Sequence, residues 1–133
     1  MPTTATGHMT PDCRREVTLI VYPGFKTLEA TGPLSVLGYA SQHIAAQGFG
    51  GGYDVTIAAP RRGSIPSDTV MSLEATVALR DLGACDTVMI AGAPRIEEVL
   101  DAEPEVVRWC RQFGRDTTRC AALCTGSFFL AEA

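Results

Sequence analysis

Short β-branched runs alternate along the chain with longer segments whose apolar residues recur every three or four positions. Val17-Thr18-Leu19-Ile20-Val21-Tyr22 is closed by Pro23-Gly24, the pattern of a buried strand followed by a turn. Phe25 to Pro33 then leads into a helix with Leu34, Leu37 and Ile44 on one side, and Gly48 stands where a helix-ending glycine belongs. Tyr53 to Ala59, closed by Pro60, reads as a second strand, and a right-handed crossover sets it parallel to the first. Between Ser64 and Val77 a turn at Pro66-Ser67-Asp68 and the alternation of Met71, Leu73 and Val77 with polar partners predict a small hairpin or edge elaboration. Asp86 to Ile90 is a third core strand running into Ala91-Gly92-Ala93-Pro94. Pro104 then opens a helix with Val106, Val107, Cys110 and Phe113 at core-facing spacing. Asp101 and Glu103 at its start and Arg108, Arg111 and Arg115 towards its end complement the helix dipole and form a solvated face. Thr117 to Leu123 is a further strand.

Strands and helices in this order predict a doubly wound α/β domain with a mostly parallel sheet. Its site belongs at the carboxyl ends of the strands, where Tyr22 to Glu29, Ala91 to Pro94 and Cys124 to Ser127 converge. The last of these carries the chemistry. Ala122-Leu123-Cys124-Thr125-Gly126 reads as a strand breaking sharply into a helix, and so tight a turn crowds the residues two before and two after its apex. Both are small here, as a nucleophile elbow demands. The apex side chain also lies beside the first free N–H groups of the next helix, which favour a thiolate. A free cysteine is more often a small apolar filler; the small neighbours at both offsets set Cys124 apart. The glycine run from Gly48 to Gly52 leaves a helix and opens a strand, the reverse of a phosphate-binding loop, and reads as a connector.

Composition narrows the classes. The 133 residues suffice for one domain, the 46% apolar content is that of a globular protein, and a net charge of −4 leaves no basic footprint for nucleic acid. No apolar run approaches the ~20 residues of a membrane span. Met1 to Arg15 lacks the apolar middle of a signal peptide. A cytoplasmic protein without a membrane partner is expected. That fits five cysteines, an odd number without framework spacing, expected as reduced thiols. Cys110 and Cys120 read as core positions, Cys85 as lying near a strand start, and Cys13 as part of a loose tail. Metal-ligand spacing is absent, so neither a metal nor a cofactor is expected. Met1 to Glu16 reads as a disordered lead-in, with Met9 an alternative start, and residues 17–133 as the domain. The last helix reaches Ala133 without a capping glycine, so a longer gene product, incomplete here at its C-terminus, is expected.

These blocks resemble the DJ-1/PfpI superfamily, relatives of the class I glutamine amidotransferases with a flavodoxin-like fold. Leu28-Glu29-Ala30-Thr31-Gly32-Pro33 is similar to its acidic-x-x-Gly-Pro pattern, Ile90 to Pro94 to its pocket-lining glycine turn, and Ala122 to Gly126 to its cysteine elbow. The wording Cys124 to Ala131 and the Tyr53 to Pro60 strand look most like the amino-terminal domain of AraC-type transcription regulators. The resemblance implies a domain that binds a small-molecule ligand or supports a homodimer, with DNA contacted through a helix-turn-helix domain absent from these residues. Isonitrile hydratase and other cysteine hydrolases share the three blocks and form the enzyme alternative, and oxidant sensing through Cys124 is a third. The resemblance further implies Glu29 as the acid that hydrogen-bonds Cys124, Ala93 and Thr125 N–H groups facing an oxyanion, and Gly92 and Gly126 lining the ligand pocket. Without it, Glu29 is equally a first-turn carboxylate at a helix N-terminus. Ala93 replaces a second glycine and Arg95 another. The family's histidine falls beyond Ala133, and His8 in the lead-in and His43 along the first helix are poorly placed to replace it.

Overall fold

The computed structural model describes residues 13–133. Five strands form one parallel sheet: β1 (Arg14–Ile20), β2 (Gly52–Ala59), β5 (Val77–Ala78), β6 (Thr87–Ile90) and β7 (Arg119–Ala122), in the order β5-β2-β1-β6-β7. β3 (Gly63–Pro66) and β4 (Ser72–Ala75) form the antiparallel hairpin expected between Ser64 and Val77. The helices are α1 (Thr27–Ala46), α2 (Ile96–Ala102), α3 (Pro104–Phe113) and α4 (Ser127–Glu132). This is the doubly wound, mostly parallel arrangement that the order of strands and helices predicts.

β1 is the middle strand, and Val17 to Ile20 are buried as a continuous run, as a parallel strand covered on both faces requires. Leu19, Ile20, Val88 and Ile90 from the sheet meet Val106 and Trp109 of α3 and Phe129 of α4 in one core. β1 begins before Val17, so the lead-in expected through Glu16 is too long. Arg14 already pairs with Gly52 in the ladder, and its guanidinium holds Asp54 at 2.7 Å and the carbonyls of Gly51 and Tyr53. The rest of that lead-in, with His8 and Met9, lies outside the described residues.

α1 starts at Thr27 and absorbs Leu28 to Pro33, expected only as an approach to the helix. Pro33 sits inside it and forgoes the bond its N–H would have made. The early start has a tertiary cause. Asp68, in the turn between β3 and β4, accepts hydrogen bonds from Thr27 N (2.9 Å) and Thr27 Oγ1 (2.9 Å), capping the helix across the fold. These bonds hold the Asp68 carboxyl below the usual carboxylate range. Leu34, Leu37 and Ile44 are half-buried, while Leu28, Val36 and Tyr39 are exposed. At the other end Gly48 adopts φ +77, as its helix-ending place requires.

Cys110 is buried as expected, but Cys120 is exposed. β7 is an edge strand, and its residues Arg119 to Ala121 are open to solvent. An apolar sequence run buries its side chains only where neighbouring elements cover them.

Candidate functional site

β7 delivers the chain to Cys124, which has φ +50, the sole non-glycine residue with positive φ among the described residues. An L-residue held there costs roughly 1–2 kcal/mol. The sharp turn is therefore present. Cys124 to Gly126 form one 3₁₀ turn that passes directly into α4, and the Cys124 side chain is exposed at the head of that helix. Gly126 has no freedom to be larger, because a Cβ there would lie 2.4 Å from the Ile90 carbonyl oxygen and 3.0 Å from that of Ala91. The small residue at this offset lets the elbow pack directly on the end of β6.

The turn after β6 lies at the centre of the site and is tied from three sides. Glu29, in the first turn of α1, accepts the Gly92 N–H at 2.7 Å through Oε2. Thr125, beside Cys124, accepts the Ala93 N–H at 3.0 Å through Oγ1 and donates the same hydroxyl to the Ala93 carbonyl at 3.0 Å. Tyr22, buried at the end of the β1 segment with its ring 5.0 Å from that of Phe129, donates its hydroxyl to the Ala91 carbonyl. Burial, reinforced by the Glu29 carboxylate, pushes the Tyr22 phenol above its usual range and keeps it a donor. Gly92 must be glycine in this arrangement, since a Cβ would come within 2.6 Å of Glu29 Oε2 and 2.7 Å of Thr125 Oγ1. Its carbonyl accepts Lys26 N at 2.8 Å, which fixes the start of α1 to the same turn.

Glu29, Gly92, Ala93, Thr125 and Gly126 are thus brought together next to Cys124. Two roles implied by the family resemblance differ from the geometry. The Ala93 N–H points to Thr125 Oγ1 and is not free for an oxyanion. The Glu29 carboxylate serves the Gly92 N–H, and among the described residues no hydrogen bond joins it to Cys124. In each case the nearest partner of opposite hydrogen-bonding character takes the group, as a half-buried donor or acceptor demands. The Tyr22 and Thr125 hydroxyls were not singled out as anchors of the turn. A tyrosine closing an otherwise apolar strand was the available signal, since a buried phenol needs a partner. His43 is bonded to Gln47 near the far end of α1. Among the described residues no group of three or more His, Cys, Asp or Glu is arranged to hold a metal ion, and no helix is long and apolar enough to cross a membrane.

A parallel α/β sheet with a cysteine at a positive-φ strand-to-helix turn, packed on a glycine turn that a first-turn glutamate holds, defines a class of flavodoxin-like domains. The chain belongs to the DJ-1/PfpI family, whose model matches residues 15–133. Solved structures agree on the fold. An AraC family transcriptional regulator from Pseudomonas putida superposes with a TM-score of 0.69 at 22% identity, over 90% of this chain and 70% of its own. A candidate transcriptional regulator from Vibrio parahaemolyticus gives 0.72 at 18%, over 90% and 61%, and a THiJ/PfpI family protein from Pseudomonas syringae 0.71 at 16%, over 99% and 52%. The chain therefore spans only part of the length of these relatives. No curated protein matches it.

Proposed function

We propose that residues 17–133 form the cytoplasmic ligand-sensing and dimerisation domain of an AraC-type transcription regulator, with DNA contacted by a domain outside these residues. The observation that carries this is the engagement of the pocket's own polar groups. The Ala93 N–H, an oxyanion donor in a hydrolase of this family, is satisfied by the Thr125 hydroxyl, and the Glu29 carboxylate is spent on the Gly92 N–H. A site in which the Ala93 donor and the Glu29 carboxylate are already engaged is better suited to holding a small molecule at Cys124 than to stabilising a charge that develops during turnover. Regulators among the solved structures of the same fold support the same assignment. Leu28, Val36 and Tyr39, exposed along α1, support pairing of two copies through that helix.

A cysteine-dependent hydratase or hydrolase is the second reading, favoured by the exposed Cys124 at a positive-φ elbow. Incubating the protein with an isonitrile, an amide and an aldehyde, with mass spectrometry of each compound over time, separates the two. The sensor reading expects a compound to bind and persist. Steady consumption that stops in Cys124→Ser would establish the enzyme in its place.

A further inference from the structure

Two cysteines outside the elbow share one open cleft of about 490 Å³, Cys110 near the end of α3 and Cys120 in β7. Chain spacing does not mark the pair; the packing of α3 beside the edge strand creates it. Cys110 is 4% exposed and belongs to the core, whereas Cys120 is open to solvent. One sulfur is thus set in the wall of the cleft and the other stands at its entrance. Burial, and then any charge on Cys120, push the Cys110 thiol up to about 12, so the two sulfurs are near enough to repel each other as thiolates. Burial raises the Cys120 thiol as well. Thiols held protonated are slow towards oxidants, which attack the thiolate. A cation between the sulfurs is what lowers the energy of both thiolates together.

The other residues of the cleft narrow the choice of cation. No Asp or Glu side chain lines it, so a hard cation that needs carboxylate oxygens finds no ligands. Zinc takes four ligands, and among the described residues no group of three or more His, Cys, Asp or Glu is arranged to hold a metal. Thiolates select Cu(I), for which two in line suffice. Such a centre carries one negative charge. Arg111 and Arg115 line the same cleft, and neither belongs to an ion pair among the described residues. Arg111 is steadied by its bond to the Glu132 carbonyl at 3.1 Å, which leaves its charge uncompensated.

We propose that Cys110 and Cys120 hold Cu(I) between their sulfurs, with Arg111 and Arg115 balancing the charge of the centre. Two S–H bonds break and two Cu–S bonds form. Cu(I) and two thiols give a bis-thiolate centre of charge −1 and release two protons to solvent, and copper keeps its oxidation state. Cys124 does not line the cleft, so the site stands whichever role that residue has.

The test titrates the reduced protein, without oxygen, into Cu(I) held by bicinchoninate and follows the fading of the coloured complex. The protein is expected to withdraw Cu(I), to shift the methyl resonances of Leu130 on the cleft wall, and to show two sulfur neighbours by X-ray absorption at the copper edge. Loss of a residue that only supports a metal ligand costs about 10–100-fold in affinity, so Cys120→Ala, which removes a ligand at an exposed position, is expected to cost more than about 100-fold. Arg111→Ala with Arg115→Ala leaves both sulfurs in place and is expected to weaken binding about tenfold. Cys124→Ser is expected to bind Cu(I) as the parent does. Copper left wholly with bicinchoninate, equal binding by Cys120→Ala, or binding lost in Cys124→Ser overturns the proposal. So does a Cys110–Cys120 disulfide that forms in air in a protein whose reduced form retains no Cu(I), which would make the pair an oxidation switch.

Discussion

Gly126→Ala isolates the contact on which the elbow depends. Gly126 has φ −56, so an alanine meets no backbone penalty, and in an exposed helical start it would add stability, about 1 kcal/mol. The structure predicts the opposite sign. The new Cβ would lie 2.4 Å from the Ile90 oxygen and 3.0 Å from the Ala91 oxygen. Both atoms are backbone, and both are engaged: Ile90 O accepts Leu123 N at 2.9 Å, and Ala91 O accepts the Tyr22 hydroxyl. Relief requires the elbow to move away from β6 by most of an ångström, with an overpacking cost of about 1–3 kcal/mol. Weakening those two bonds adds about 1 kcal/mol each. After the helix gain, a net loss of roughly 2–4 kcal/mol remains, which for a chain of this size lowers Tm by about 8–16 °C. Gly38→Ala is the matched control, because Gly38 lies within α1 with nothing inside 4 Å of its missing Cβ. It is expected to raise Tm by a few degrees, about 1 kcal/mol. Urea midpoints and thermal melts of both variants decide the matter. A Gly126→Ala protein as stable as the parent, or a Gly38→Ala protein equally damaged, would refute the packing of the elbow on β6.

Glu29→Ala leaves the buried Gly92 N–H without an acceptor and is expected to cost about 1–3 kcal/mol, while Glu29→Gln, which keeps a carbonyl oxygen, loses less than half of that; chemical denaturation reads both. Thr125→Val strips both bonds from Ala93 and is expected to destabilise by about 1–3 kcal/mol and to speed exchange of the Ala93 amide, with Thr125→Ser restoring protection; unchanged exchange in the valine variant counts against the clamp. Burial in the core pushes the Cys110 thiol from about 9 up to about 12. The folded state therefore holds this proton where the unfolded chain releases it, so its contribution is complete below about pH 9 and lost as pH rises towards 12. Urea midpoints of the parent should fall faster over that window than those of Cys110→Ala, and parallel profiles would contradict the burial.

Much of this fold was legible because burial on both faces of a parallel strand leaves an unmistakable run, and Val17 to Ile20 and Thr87 to Ile90 are such runs. The elbow was legible for a similar reason: crowding at a tight turn admits only small residues two positions either side of Cys124, and Gly126 meets that demand within 2.4 Å. What could not be read depends on strand order or on partners distant in the chain. Cys120 lies in an apolar run, but β7 is at the sheet edge. Asp68 reads as a turn residue, and only the docked hairpin makes it the cap of α1. The Thr125 hydroxyl could not be assigned to Ala93 before the turn after β6 and the elbow were known to touch, and that contact is what occupies the expected oxyanion donor.

The sheet order has a consequence for how the chain is made. β1 leaves the ribosome before the other strands of this sheet, yet it occupies the centre, where Val17 pairs with Val55 on one side and with Thr87 on the other. One side of it can pair once β2 is made, but the other side must wait until β6 has been synthesised, since no local hairpin is open to it. Such long-range closure is slow and exposes an aggregation-prone segment in the meantime. Pausing of translation between β2 and β6, or a nascent-chain chaperone, is therefore expected to alter the yield of native protein.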